Sequence, residues 1–198
     1  MVFGQENPCY LKVRSVGVNP ARNSILLIDK NNKVHTFELS TRQLKSTQDL
    51  ENVFSNAPEN IDLIVSNNDQ IQLVDERTIH SYHQNPDGTF ESVGGTKQLH
   101  SRVIFYPDSS ISLNNGTVYL INGGVFADYN LASNTPNILG NRDVVLANLP
   151  ERGFSAFPID NQPTQANLYV FFDQKVGEYN MEEKVLKNEV NVNQFFSC

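Results

Sequence analysis

One segment of this chain is written four times. Leu26–Phe37 reads LLIDKNNKVHTF, Ile71–Tyr82 reads IQLVDERTIHSY, Val118–Tyr129 reads VYLINGGVFADY and Leu168–Tyr179 reads LYVFFDQKVGEY. The starts are 45, 47 and 50 residues apart, and the copies align without gaps. The first column holds Leu26, Ile71, Val118 and Leu168, and the third holds Ile28, Leu73, Leu120 and Val170. The ninth holds Val34, Ile79, Phe126 and Val176, and the twelfth holds Phe37, Tyr82, Tyr129 and Tyr179. Self-similarity at such a period marks a repeat architecture, in which each unit buries its apolar faces against its neighbours.

Each copy reads as a β-hairpin. Period-two alternation of branched and aromatic residues predicts strands, and the polar or Gly-rich joints DKNN, DER, NGG and DQ carry hairpin-turn chemistry. An extended segment precedes each hairpin: VRSVGV (13–18), IDLIV (61–65), SSISL (109–113) and FSAFPI (154–159). A further candidate strand follows each, and DLENVF (49–54) and RDVVLANL (142–149) read as two turns of helix apiece. The expected fold class is all-β: a four-bladed β-propeller, each blade a four-stranded antiparallel sheet plus a short helix. The 198 residues form one domain, with blades at about 10–55, 56–106, 107–154 and 155–198. A β-sandwich also accommodates many short strands, but it has no need of a fourfold pattern.

This arrangement resembles the hemopexin-like domain. IDLIV at Ile61–Val65 and FSAF at Phe154–Phe157 are similar to that family's inner strand. VYLI and LYVFF are similar to its second strand, and KVHTF, TIHSY, VFADY and KVGEY to its third. The resemblance implies a disulfide from the entrance of the first blade to the end of the fourth, here Cys9 to Cys198. A bridge closing so long a loop stabilises by about 4–5 kcal/mol in the chain-entropy model. It also implies an ion in the central channel, a Ca²⁺ or Na⁺ or an anion, held by backbone at the position of the inner-strand Asp. Aligned to Asp62, those positions are Arg14, Ser110 and Ser155. The chain departs from the family in having no Trp and in showing that Asp clearly only once.

Composition narrows the function classes. The net charge is −7 and no Lys/Arg cluster appears, which argues against nucleic acid. No apolar run approaches the roughly 20 residues of a membrane-spanning helix. The first residues lack the basic start and apolar stretch of a signal peptide: either the protein never had one, or the chain is a mature form with an added Met. Asn115-Gly116-Thr117 is a glycosylation sequon in a turn, in keeping with secretion. No nucleophile elbow, zinc-protease motif or phosphate loop is present, so an enzyme is not expected. His80 and His83 are three apart, which on a strand sends them to opposite faces. His35 and His80 share a repeat column and read as structural. The expected function is a secreted, non-catalytic module that binds a partner protein through loops such as HQNPDG (83–88) and ASNTPNILGN (132–141). The alternative is a carrier or storage protein for a small ligand such as haem or a polyamine.

Overall fold

The computed structural model describes residues 11–67, 69–160 and 167–197. Cys9 and Cys198 lie outside these residues, and so does the bridge expected between them. The first unit consists of β1 (Val13–Val18), β2 (Ser24–Asp29), β3 (Lys33–Glu38), β4 (Leu44–Asp49) and α1 (Leu50–Val53). The second holds β5 (Leu63–Ser66), β6 (Ile71–Asp75), β7 (Thr78–Gln84), β8 (Phe90–Ser92) and β9 (Lys97–Gln98). The third holds β10 (Ser109–Ser112), β11 (Val118–Asn122), β12 (Val125–Asn130), β13 (Thr135–Asn141) and α2 (Arg142–Val145). The fourth holds β14 (Phe154–Pro158), β15 (Asn167–Phe172), β16 (Lys175–Asn180), β17 (Val185–Asn191) and α3 (Val192–Phe195). Strands within a unit are antiparallel.

Three expectations need correction. First, the hydrogen-bonded sheets number three, not four. β10 and β14 pair in parallel at Ser110–Ser155 and Ile111–Ala156. This joins the third and fourth units into one eight-stranded sheet, beside a four-stranded and a five-stranded one. Second, the second unit has no helix among its described residues. Its outer strand is split into β8 and β9, both paired with β7, because the Gly94-Gly95 segment, with Gly94 at φ 69, interrupts it. Arg77 organises the chain after β9 by donating to the carbonyls of Val103, Phe105, Leu99 and His100. The other helices are one turn long, not two.

Third, the four copies do not align without a gap. Tyr82, Tyr129 and Tyr179 pair with Ile71, Val118 and Leu168, but Phe37 pairs with Ile25 rather than Leu26. The first hairpin turn has three residues, Lys30-Asn31-Asn32, with Asn32 in the left-handed region at φ 58. The others have two: Glu76-Arg77, Gly123-Gly124 and Asp173-Gln174. Three-residue hairpins favour such a left-handed residue, and the extra residue shifts every earlier column by one. Ile25 and Leu27 therefore face the fourth unit and Leu26 and Ile28 face the second.

The cores lie between the units. One cluster joins Val16, Ile25 and Phe37 of the first unit to Phe171, Val176 and Phe195 of the fourth. The others lie between the first and second, second and third, and third and fourth units. The inner strands β1, β5, β10 and β14 pack in the same cyclic order, with β14 against β1. The twelfth-column aromatics, all fully buried, fix each unit to the tail of the one before it. Tyr82 meets Phe54 edge-on at 5.1 Å. Tyr129 accepts from the His100 amide at 2.9 Å. Tyr179 donates to the Ala147 carbonyl at 2.8 Å. Phe37 stacks on Phe196 at 3.8 Å, which brings the last unit back to the first. Burial of each ring contributes on the order of 2 kcal/mol.

Candidate functional site

The inner strands meet through serine hydroxyls. Paired against the second strand of each unit, Ser15, Leu63, Ser109 and Ser155 stand at one level. Ser15 Oγ lies 2.9 Å from Ser155 Oγ and accepts the Ile64 amide at 3.0 Å. Ser155 Oγ accepts the Val16 amide at 3.1 Å, and Ser109 Oγ accepts the Phe154 amide at 3.2 Å. Three residues further along, Ser112 Oγ accepts the Ser66 amide at 3.1 Å. Every junction between inner strands thus has a hydroxyl partner for an inner-strand amide. Unpaired, each such buried amide costs about 1–3 kcal/mol.

This register corrects the alignment of the expected ion ring. Arg14 and Asp62 share a level, with Arg14 in a bulge of β1. Ser155 lies one residue further along its strand and Ser110 two. The residues level with Asp62 are Asp108 and Phe154: the Asp62 and Asp108 amides donate to the equivalent carbonyls of Val74 and Ile121. Asp108 was legible, since Pro107-Asp108-Ser109 aligns with Ile61-Asp62-Leu63 once shifted, but the neighbouring serines hid the match. Neither carboxylate is free. Asp62 Oδ2 accepts the Glu76 amide at 2.7 Å, and Asp108 Oδ1 accepts the Ser109 hydroxyl at 2.9 Å. Among the described residues, no group of three or more His, Cys, Asp or Glu side chains is placed to hold a metal.

His35 is buried within the first unit. Its Nε2 lies 3.0 Å from Asp29 Oδ2 and its Nδ1 2.9 Å from Thr47 Oγ1. This is the connectivity of a hydroxyl, a base and an acid, but Thr47 lies on the outer strand β4 as the cross-strand partner of His35. Asp29 Oδ1 also accepts the Asn31 and Lys33 amides and holds the three-residue turn. The network locks a hairpin. His80, in the same column, is half-buried, and loss of solvent lowers its pKa, partly offset by Asp75. His83 is exposed near Glu91, and His100 serves the tail clamp through its amide.

A cavity of about 800 Å³ opens where the entrances of β1 and β14 meet. Lys12, Arg14, Lys30 and Arg152 line it, with Asp173, Gln174, Asn191 and Asn193. The composition does not show this grouping, because 140 positions separate the first of these cations from the last. No histidine lines it.

The third unit differs from its neighbours on its outer side. α1 buries Leu50 and Val53, and α3 buries Val192 and Phe195. α2 instead buries Arg142, which donates to the carbonyls of Pro150 and Glu151 at 2.7 and 3.2 Å. Val144 is left 69% exposed, with Val145, Ile138 and Val125 also exposed on the same unit. Asn115 is exposed in the β10–β11 turn, where its Oδ1 accepts the Thr117 amide at 3.0 Å.

No protein-family model matches this sequence, and no curated protein matches it. Solved structures do match its shape. A hemopexin fold protein CP4 from cow pea is 12% identical, with a TM-score of 0.72 over 93% of this chain and 95% of that one. A 2S albumin seed protein from Dolichos is 10% identical, with a TM-score of 0.74 over 93% and 96%. The fold is hemopexin-like. A plant albumin from Cicer arietinum showing hemagglutination shares it at 12% identity, with a TM-score of 0.71 over 93% and 95%. At these identities the likeness is one of fold. This hemopexin-like chain carries a collar of serines at the inner-strand junctions, a basic cavity and exposed valines on α2.

Proposed function

We propose that the four units are the blades of a closed four-bladed propeller, and that the chain is a secreted, non-catalytic module that binds a partner protein. Closure is supported by the four inter-unit cores and by the stacking of Phe37 on Phe196. The observation that carries the binding role is α2. Its valines face solvent where the corresponding helices turn their apolar residues inward, and an exposed apolar patch is a common mark of an interaction surface. The hemagglutinating albumin of the same fold is in keeping with a binding role. Immobilised protein is expected to retain a partner from its native fluid, and a folded Val144→Glu variant to lose it. Equal retention by Val144→Glu refutes this surface.

The second reading is a small-ligand carrier, and the observation that favours it is the basic cavity. Its lining has no histidine for haem, and its cations repel a polyamine. A Ca²⁺ or Na⁺ on the axis would rest on backbone carbonyls alone, since Arg14 opposes a cation and the carboxylates of Asp62 and Asp108 are engaged. Secretion adds the Cys9–Cys198 bridge and a glycan on Asn115 to the same proposal.

A further inference from the structure

We infer that the cavity between the first and fourth units is a binding site for a small phosphate-bearing anion. The inference rests on the small-ligand reading and gives that ligand its chemistry. Four of the chain's 15 basic residues line this cavity, against one acid, Asp173, in a protein of net charge −7. Among the described residues, Lys12, Arg14 and Lys30 have no carboxylate within ion-pair distance. Arg152 reaches only the distant oxygen of Asp108, at 3.9 Å. Four of the six lysines outside the cavity are paired: Lys33 with Asp49, Lys45 with Glu38, Lys175 with Glu189 and Lys187 with Glu183. Four cations therefore share one opening with a single carboxylate, and these like charges are held there by the fold against their own repulsion.

Arg14 is held in place. Its Nη1 donates to the Ile61 carbonyl at 3.0 Å and its Nη2 to the Lys30 carbonyl at 3.1 Å. These bonds anchor the guanidinium without neutralising it, so its side-chain ordering precedes any binding. Two buried polar atoms of lining residues have no hydrogen-bond partner: Arg14 Nε, a donor, and Asn193 Oδ1, an acceptor. Buried groups of this kind are normally paired. A phosphate oxygen matches the donors of the cationic wall. The cavity volume of about 800 Å³ lies within the range of ordinary small-molecule sites. Phosphate suits the excess of cations better than a single carboxylate does, since it brings more charge and more acceptor oxygens.

Isothermal titration calorimetry at low ionic strength, with pyrophosphate and with glucose 6-phosphate, tests the inference. Saturable one-to-one binding is expected, weakened roughly tenfold by Lys30→Ala, the loss of one charge-assisted contact. Lys97→Ala removes the same charge from the exposed strand β9 of the second unit, outside the lining, and is expected to leave binding unchanged. Equal weakening by Lys97→Ala and Lys30→Ala shows a response to overall charge and overturns the site. Failure of both phosphates to bind folded wild-type protein overturns the phosphate assignment. If haemin or spermine then binds saturably, the small-ligand reading survives without it; if all four fail, both fall.

Discussion

Ser15→Ala removes one oxygen from the junction of three units. The Ser15 hydroxyl is fully buried, is shared with Ser155 Oγ at 2.9 Å and accepts the Ile64 amide at 3.0 Å. Ser155 keeps the Val16 amide after the change, but the Ile64 amide faces away from β6 and has no other partner to turn to. An orphaned buried amide costs about 1–3 kcal/mol, and little packing volume is lost beside it. For a chain of this length each kcal/mol shifts Tm by roughly 2–4 °C, so a cost of about 2 kcal/mol lowers Tm by roughly 4–8 °C. The assay is calorimetric or urea unfolding of Ser15→Ala beside Ser110→Ala. Ser110 is as buried as Ser155, but its hydroxyl makes no hydrogen bond among the described residues, so Ser110→Ala is expected to be near neutral. The double variant Ser15→Ala/Ser155→Ala should fall short of or exceed additivity, because the two hydroxyls bond each other. A Ser15→Ala protein within about 0.5 kcal/mol of wild type, the range of an ordinary surface change, refutes the collar. So does a Ser110→Ala protein that loses as much.

Further expectations concern other parts of the molecule. His35→Ala leaves Asp29 Oδ2 buried without its partner and opens a small void, and urea unfolding should show a loss of about 2–4 kcal/mol. Tyr82 and Tyr179 are pushed up to about 12, mainly by burial. The unfolded phenols ionise near 10, so the unfolded state binds fewer protons than the folded one between about pH 10 and 12, and stability falls across that window. Tyr179→Phe should reduce the slope there, which unfolding curves at several alkaline pH values measure. Expressed through a secretory pathway, the protein should carry a glycan that glycosidase removes and Asn115→Gln abolishes. Non-reducing mass spectrometry should show Cys9 and Cys198 two hydrogens lighter as a bridged pair.

The strand positions were readable because side-chain alternation is a local property. β1, β10 and β14 coincide with the extended segments 13–18, 109–113 and 154–159 to within a residue. The twelfth-column aromatics were readable as packing residues, and each is buried against the tail of a neighbouring unit. The errors arose where one residue of chain length has no chemical signature. Lys30-Asn31-Asn32 and a two-residue turn look alike as polar punctuation, yet the extra residue moves Leu26 to the opposite face. In the ion ring, Ser109 and Ser110 are chemically identical, so composition cannot say which is level with Asp62. The split of the second unit's outer strand had a local cause, Gly94-Gly95, but the Arg77 network that stands where a helix was expected depends on carbonyls more than twenty residues away.

By itself, the sequence determined an all-β chain of four hairpin-bearing units, because a period of about 47 residues and an alternation of two survive any tertiary arrangement. Only the tertiary structure decided which units touch, since packing in the order one to four and back to one depends on pairs such as Phe37 and Phe196 that lie far apart in the chain. It also decided what the cations do. Lys12, Arg14, Lys30 and Arg152 are ordinary scattered residues in one dimension, and electrostatic potential depends on distance in space. Brought around a single cavity, they set four cations against one carboxylate in an acidic protein.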